Sequence, residues 1–222
     1  MKKGNKIWIV VFIAVVFAAF AVTLAVPSSR EVFKELSNTH PYAMGFIKFA
    51  LLATAGEMIA LRMASGEWKK PACLTARLVI WGIIGVWITY MMKIFYIGSG
   101  IMMEKGLLPG GGGEGFGQTF LHALYTSLTM NLSYAPTFMA LHKCSDMYLA
   151  MRGEKEKNIT VGKVVDAVNW KGFATFTIGK TVPYFWIPAH TVTFLLPSEY
   201  QVMLAALLSV ALGIILNLNK KH

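Results

Sequence analysis

The sequence predicts an all-α membrane protein, a bundle of six transmembrane helices with proline kinks and both termini in the cytoplasm. Hydrophobic residues make up 55% of the chain of 222 residues and charged residues only 14%. This composition is too apolar for a soluble domain of that size. Apolar runs of membrane-spanning length recur along the chain, and short basic runs lie beside them. We therefore expect one transmembrane domain over residues 1–222, in contact with membrane lipids.

The first apolar run, 7–26, follows three lysines and is uninterrupted. A signal peptide also begins in this way, but its apolar core is about half as long. We therefore interpret this run as a first span that the protein retains. The six predicted spans cover residues 7–26, 42–64, 76–98, 119–141, 172–194 and 201–218.

The connections between the spans are polar. Residues 28–40 are expected to form an amphipathic connection, 65–75 a short basic loop, and 143–169 the longest polar segment. The loop 100–118 contains most of the stretch GGEGFGQT, which resembles a phosphate-binding loop. It has glutamine where that motif needs lysine and no strand before it, so nucleotide binding is not expected.

The orientation follows from the distribution of basic residues. With the N-terminus in the cytoplasm, the inside segments hold 15 Lys and Arg residues and the outside segments hold 4. This bias favours six spans with both ends inside. The net charge of +10 arises beside apolar spans, where it suits anionic lipid rather than nucleic acid. No nucleic-acid partner is expected.

Two charged residues stand at matching depth in different predicted spans. Glu57 and Lys180 each lie seven or eight residues from the cytoplasmic end of their span, roughly 10–12 Å deep at the rise of an α-helix. An acid and a base at one depth are natural partners, because pairing reduces the cost of burying either charge. They form a structural salt bridge, line part of a polar path or make no contact with each other, and the sequence leaves all three open.

Three further polar residues fall within spans. Lys48, near the outer end of span two, is expected to snorkel outward. Asn131, near the middle of span four, either hydrogen-bonds across helices or lines a pore. His190, near the outer interface, is a candidate pH-sensing or gating group, although an interfacial histidine with no special role is the commoner case.

Prolines interrupt the predicted spans four and five. Pro136, Pro183 and Pro188 each free a backbone carbonyl and are expected to kink their helices. The last two flank Trp186 beside Lys180, which favours a shaped cavity there.

Catalytic and metal-binding patterns give little support to an enzyme. No Ser–His–Asp set, pair of carboxylates or metal cluster recurs at membrane depth. His142 and Cys144 are two residues apart, but a metal site needs further ligands. We expect no enzyme activity, no metal and no cofactor.

The fifth span and the turn after it resemble a known signature, W-P-x-x-Q-x-x-N-F-x-x-V-P-x-x-Y/F-R. The residues close to matching places are Trp186, Phe194, Pro197 and Tyr200. His190 stands in place of the glutamine, Thr193 in place of the asparagine, and Gln201 in place of the arginine. This is the C-terminal signature of the Mpv-seventeen / 22-kDa peroxisomal membrane protein family.

Two upstream segments extend the resemblance. The Gly56–Glu57 pair resembles the family's Gly-Asp pair, and residues 131–136 (NLSYAP) resemble its D-Q-x-x-x-x-P segment. The resemblance implies a compact helical membrane bundle and a channel-like function linked to metabolite balance. No organellar transit peptide precedes the first span, which favours a relative in a prokaryotic plasma membrane.

The leading functional hypothesis is a bundle that encloses a polar path for small solutes, anions or metabolites, as a channel or transporter. Glu57, Lys180, Asn131 and His190 would line that path. The alternative is a non-conducting membrane scaffold or lipid-binding protein, in which these residues only fix helix packing. A homo-oligomer is compatible with either hypothesis.

Overall fold

The computed structural model describes residues 7–218, and in this range it is helical without any strand. Lys2, Lys3 and Lys6, which the orientation count used, lie outside the described residues. The basic tail 219–222 and the ends of the predicted domain also lie outside them. The all-α class is therefore confirmed for the part of the chain that the structure describes.

Two π-helical segments divide the helices in the second half of the chain. Met130–Tyr134 separates α5 from α6, and Phe173–Trp186 separates α8 from α9. The α-helices are α1 (Ile7–Ala25), α2 (Pro27–Thr39), α3 (Pro41–Ser65), α4 (Leu74–Glu104), α5 (Phe116–Thr129), α6 (Ala135–Gly153), α7 (Val161–Ala167), α8 (Trp170–Gly172), α9 (Ile187–Leu195) and α10 (Ser198–Leu218).

Within the described residues, four helices are long and apolar enough to cross a membrane: α1, α3, α4 and the part of α10 from Ser198 to Ile215. They coincide with predicted spans one, two, three and six. In α1 only 11% of the most apolar window is buried inside the protein, so most of this helix presents hydrocarbon side chains outward. Such a surface suits a bilayer and is costly in water.

Predicted spans four and five fall on the helices that the π-helical segments divide. Span four runs through α5, the π-helical turn and the start of α6, and span five through the longer π-helical segment and α9. Neither meets the length and hydropathy of a membrane span as one regular helix. The count of six spans stays a prediction.

The chain divides into two compact units. Unit 1 holds residues 7–90 and 197–218 of the described chain, and unit 2 holds residues 91–196. Within unit 1, α3 packs against α10, where a Cβ on Gly56 would lie 2.6 Å from Val210 Cγ2. A Cβ on Gly85 in α4 would lie 2.7 Å from the Phe49 Cβ in α3. These glycines permit the close helix contacts typical of membrane bundles.

Unit 2 is built on the packing of α5 against α9. Ala123, Met130, Val182 and Phe194 are buried in its core. The Tyr96 ring lies against this core, with its centroid 6.2 Å from that of Phe194 and 4.2 Å from that of His122.

The amphipathic connection predicted after the first span is a regular helix, α2, which Pro27 begins. On its polar face Glu31 accepts a hydrogen bond from Lys34 and raises the pKa of that lysine. The glycine-rich loop begins later than expected, because α4 continues to Glu104 rather than ending at residue 98.

Candidate functional site

A partly buried hydrogen bond joins the two π-interrupted helices of unit 2. Asn131 lies in the π-helical turn Met130–Tyr134 and is fully buried. Its Oδ1 lies 3.1 Å from Nδ1 of His190 in α9. Two residues that the sequence analysis placed in different spans are thus in direct contact.

The backbone fixes the orientation of the Asn131 amide. Its Nδ2 donates to the Ser127 carbonyl oxygen at 2.8 Å, and a carbonyl oxygen can only accept a hydrogen bond. The amide oxygen must therefore face His190. Because this oxygen also only accepts, Nδ1 of His190 carries the proton that it donates, and in a neutral ring Nε2 is then the acceptor.

Ser127 extends the polar contact along the helix interface. Its Oγ donates to the Ile187 carbonyl oxygen at 2.7 Å and lies 3.3 Å from Nδ2 of Asn131. The His190 ring stacks on the Trp186 ring, with centroids 5.1 Å apart and planes inclined by 27°. Ser127, Asn131, Trp186 and His190 form what we call the Asn–His cluster.

The π-helical geometry explains why polar side chains gather here. A π-helical turn breaks the regular i→i−4 hydrogen bonding and leaves carbonyl oxygens in need of donors. Asn131 covers the carbonyl of Ser127, and Ser133 donates to that of Thr129. Thr181, in the longer segment, donates to the carbonyl of Phe176 at 3.3 Å. These side chains add hydrogen bonds at the irregular backbone, and the Ser127 carbonyl also accepts one from the Met130 N–H.

The three predicted kink prolines all lie at these segments. Pro136 is the second residue of α6, directly after the π-helical turn, and Pro183 lies inside the longer segment. Pro188 is the second residue of α9, directly after that segment. At each of these prolines the α-helix is interrupted by a π-helical segment that contains or adjoins the proline ring.

Lys180 lies in the longer π-helical segment, and its side chain is exposed. Glu57, the partner expected for it, belongs to unit 1. The Glu57–Lys180 pair stays a prediction.

In unit 1 the Glu57 carboxylate forms an ion pair with Arg77, the fourth residue of α4. Its other oxygen accepts a hydrogen bond from Trp81 Nε1 at 3.3 Å, and Arg77 Nε donates to the Ala72 carbonyl oxygen at 2.9 Å. The Arg77 side chain is 12% exposed and that of Glu57 26%, so solvent only partly screens the pair. A cavity of about 340 Å³ adjoins both side chains.

From the sequence, Arg77 was counted only as a basic residue at the cytoplasmic side, and its pairing with Glu57 was missed. A signal was present, because Arg77 and Trp81 are four residues apart and therefore share one face of α4. Glu57 lies toward the cytoplasmic end of the second predicted span, and Arg77 lies at the cytoplasmic start of the third, so both are near the same membrane surface.

Lys48 does not snorkel outward, contrary to the expectation. Its side chain is 2% exposed, and Nζ donates to Ser37 Oγ at 2.8 Å and to the Glu199 carbonyl oxygen at 3.0 Å. Nζ also lies 4.4 Å from the centroid of the Phe33 ring. The amphipathic helix α2 supplies Ser37 and Phe33, and covering by this helix is the reason that the ammonium stays inside the protein.

Metal ligands are not gathered in the described part of the chain, where no three His, Cys, Asp or Glu side chains are placed to hold an ion. Comparisons with protein-family models, with curated proteins and with solved structures found no match to this chain.

Proposed function

We propose that this chain is an integral membrane protein that provides a path for small polar solutes, as a channel or transporter. The observation that supports this most directly is the contact between Asn131 and His190 inside unit 2. Amide, hydroxyl and imidazole groups buried between apolar helices are costly in a bilayer, and they commonly mark solute pathways. Interrupted helices that meet at such groups are a recurrent feature of transporter binding sites.

The chemistry of the Asn–His cluster favours small solutes that exchange hydrogen bonds. Asn131 and Ser127 are neutral, and His190 donates from Nδ1 to the Asn131 amide oxygen. In a neutral ring Nε2 of His190 offers an acceptor, and the exposed ammonium of Lys180, in the π-helical segment directly before α9, favours anions near the path. A small polar metabolite or anion would use the hydrogen-bonding groups of the cluster, and an anion would also be attracted by Lys180.

The remaining features of the proposal concern topology. Six spans with both termini in the cytoplasm agree with the excess of basic residues on that side. We place the protein in a prokaryotic plasma membrane and propose no enzymatic role. The resemblance to the Mpv-seventeen / 22-kDa peroxisomal membrane protein family supports a channel-like function for the same region, residues 131–200.

Solute flux into proteoliposomes tests the proposal. Purified protein should accelerate the entry of glycerol, alanine and chloride over that into empty vesicles. Asn131→Leu keeps the side-chain size and removes the amide, so flux should fall about tenfold, equivalent to about 1.4 kcal/mol in the barrier. Lys180→Ala should reduce chloride entry more than glycerol entry.

Thr193→Val is the matched control. Thr193 is buried in α9, and its hydroxyl donates to the Ala189 carbonyl oxygen of its own helix. Its flux should equal that of the wild type. If wild-type vesicles admit solutes no faster than empty ones, the proposal fails, and the alternative of a non-conducting scaffold takes its place.

A further inference from the structure

A groove opens on the side of unit 1 where α1, α2 and α3 meet. Its volume is about 510 Å³, within the range of small-molecule binding sites. The side chains that define it include Phe20, Ser28, Ser29, Phe33, Leu36 and Leu51. We call this the α1–α2–α3 groove.

The groove is continuous with surface that faces the hydrocarbon of a bilayer. Ala19 and Phe20 of α1 line one wall, and α1 is a candidate membrane span whose side chains are mostly uncovered. On the opposite wall, Val32 and Leu36 of α2 are 55% and 41% exposed. In a membrane, acyl chains are the apolar molecules that reach such a surface at high concentration.

The lining also carries hydroxyl groups near the start of α2. Ser28 and Ser29 are in its first turn, and Thr23 lies in the last turn of α1. The Thr23 hydroxyl donates to the Ala19 carbonyl oxygen, whereas the two serines stand where neutral ester or glycerol oxygens could hydrogen-bond. A groove with apolar walls and hydroxyl groups clustered near the start of α2 suits an amphiphilic ligand better than a ligand that is entirely hydrocarbon.

The floor of the groove is held rigidly. Phe33 is 4% exposed, and its ring stacks on that of Tyr200 with centroids 6.0 Å apart. The Lys48 ammonium lies against the same ring. A fixed aromatic floor reduces the ordering cost of binding, because little of the protein must be immobilised when a ligand enters.

We propose that the α1–α2–α3 groove binds one acyl chain of a membrane phospholipid, with the glycerol and ester oxygens of that lipid beside Ser28 and Ser29. The occupant is a lipid of the surrounding bilayer. Because the hydroxyls are neutral, the site selects for the acyl chain and the ester region and not for the charge of the headgroup. This site is separate from the proposed solute path and does not depend on it.

Native mass spectrometry of the full chain, released from detergent after incubation with palmitoyl-oleoyl phosphatidylcholine or phosphatidylglycerol, tests this site. The wild type should retain one lipid of either kind. Ala19→Trp puts an indole into the groove and should reduce retention about tenfold, as a loss of about 1.4 kcal/mol would. The matched control is Ala18→Trp, an exposed neighbour on the same helix that points about 100° away.

Leu36→Trp is a second groove-filling variant, on the α2 wall at an exposed position. It replaces Ala19→Trp in the test if that variant does not fold. Retention by Ala18→Trp with loss in a groove-filling variant supports the site. Equal retention in the wild type and in a folded groove-filling variant overturns it. An equal loss in Ala18→Trp overturns it as well, since that result indicates unspecific contact with α1. Retention of phosphatidylglycerol alone contradicts a site with neutral recognition.

Discussion

The Nδ1 atom of His190 donates a hydrogen bond to Oδ1 of Asn131 over 3.1 Å, between two helices that each adjoin a π-helical segment. The Ser127 carbonyl fixes the Asn131 amide, and the amide fixes the imidazole tautomer. The orientation of a side chain in the π-helical turn after α5 thus determines that Nδ1 of a ring on α9 carries a proton. The chemistry available at this contact follows from helix winding as much as from residue type.

A double-mutant cycle should detect this hydrogen bond. Asn131→Leu and His190→Leu are each expected to destabilise the protein, and the coupling free energy between them should be about 0.6 kcal/mol, and at most about 1.7 kcal/mol, as for hydrogen bonds between membrane helices. Reversible unfolding in mixed micelles measures the free energies. Additive effects of the two substitutions would show that the contact contributes nothing.

Removing an acceptor from the Lys48 ammonium should cost more than removing the charge itself. Ser37→Ala leaves a buried cation short of one hydrogen bond, and we expect the free energy of unfolding to fall by about 1.5–3 kcal/mol. Lys48→Met removes the cation but keeps most of the volume, so its effect should be near neutral. Ser209→Ala, which removes a hydroxyl bonded within its own helix, is the control. A loss for Lys48→Met that exceeds that for Ser37→Ala contradicts this account.

The partner of Glu57 can be identified by rescue. Glu57→Met leaves the largely buried Arg77 guanidinium without its carboxylate and should destabilise the protein by about 1–3 kcal/mol, since partial exposure reduces the cost of a fully buried unpaired charge. Adding Arg77→Met should restore most of this loss. Adding Lys180→Met should restore none. If only Lys180→Met restored the stability of the Glu57→Met protein, the Glu57–Lys180 pair expected from the sequence would be supported and the Glu57–Arg77 pair contradicted.

Close contact between α3 and α4 depends on glycine. Gly85→Ala places a methyl group 2.7 Å from the Phe49 Cβ, and the overpacking should cost about 1–3 kcal/mol. Gly98→Ala in the same helix meets nothing within 4 Å, so it should gain the roughly 0.5–1 kcal/mol by which alanine favours a helix over glycine. Thermal unfolding measures both, and a stable Gly85→Ala protein would refute the close approach.

Helix positions could be predicted because apolar runs and prolines are local signals. The first span ends at Ala25 where residue 26 was predicted, and α3 covers the predicted second span with one extra residue at each end. The π-helical winding beside Pro136 and Pro183 was not predictable, because prolines also produce simple kinks. That choice depends on which side chains reach the freed carbonyls.

Side-chain partners were harder to predict than helices. Lys48 was expected to reach water because its depth suits snorkelling, and only the position of α2 over it shows that Ser37 and Phe33 enclose it. Arg77, the second residue of the predicted span 76–98, was counted only for its charge, because a basic residue at a cytoplasmic span end is an ordinary orientation signal. Asn131 and His190 were both singled out for their apolar surroundings, but their contact depends on how α5 and α9 are rotated.

Thiol labelling at position 190 tests most directly whether a water-accessible path passes the Asn–His cluster. His190→Cys, with Cys73 and Cys144 changed to serine, is reconstituted in liposomes and treated with a small charged methanethiosulfonate. Val192→Cys, an exposed position on the same helix, and Val161→Cys, in the polar segment before it, give the lipid-facing and the aqueous reference rates. We predict that the thiol introduced at position 190 reacts far faster than the thiol at position 192, and that alanine or chloride slows this reaction. A rate at position 190 no higher than that at 192 would contradict the proposed path.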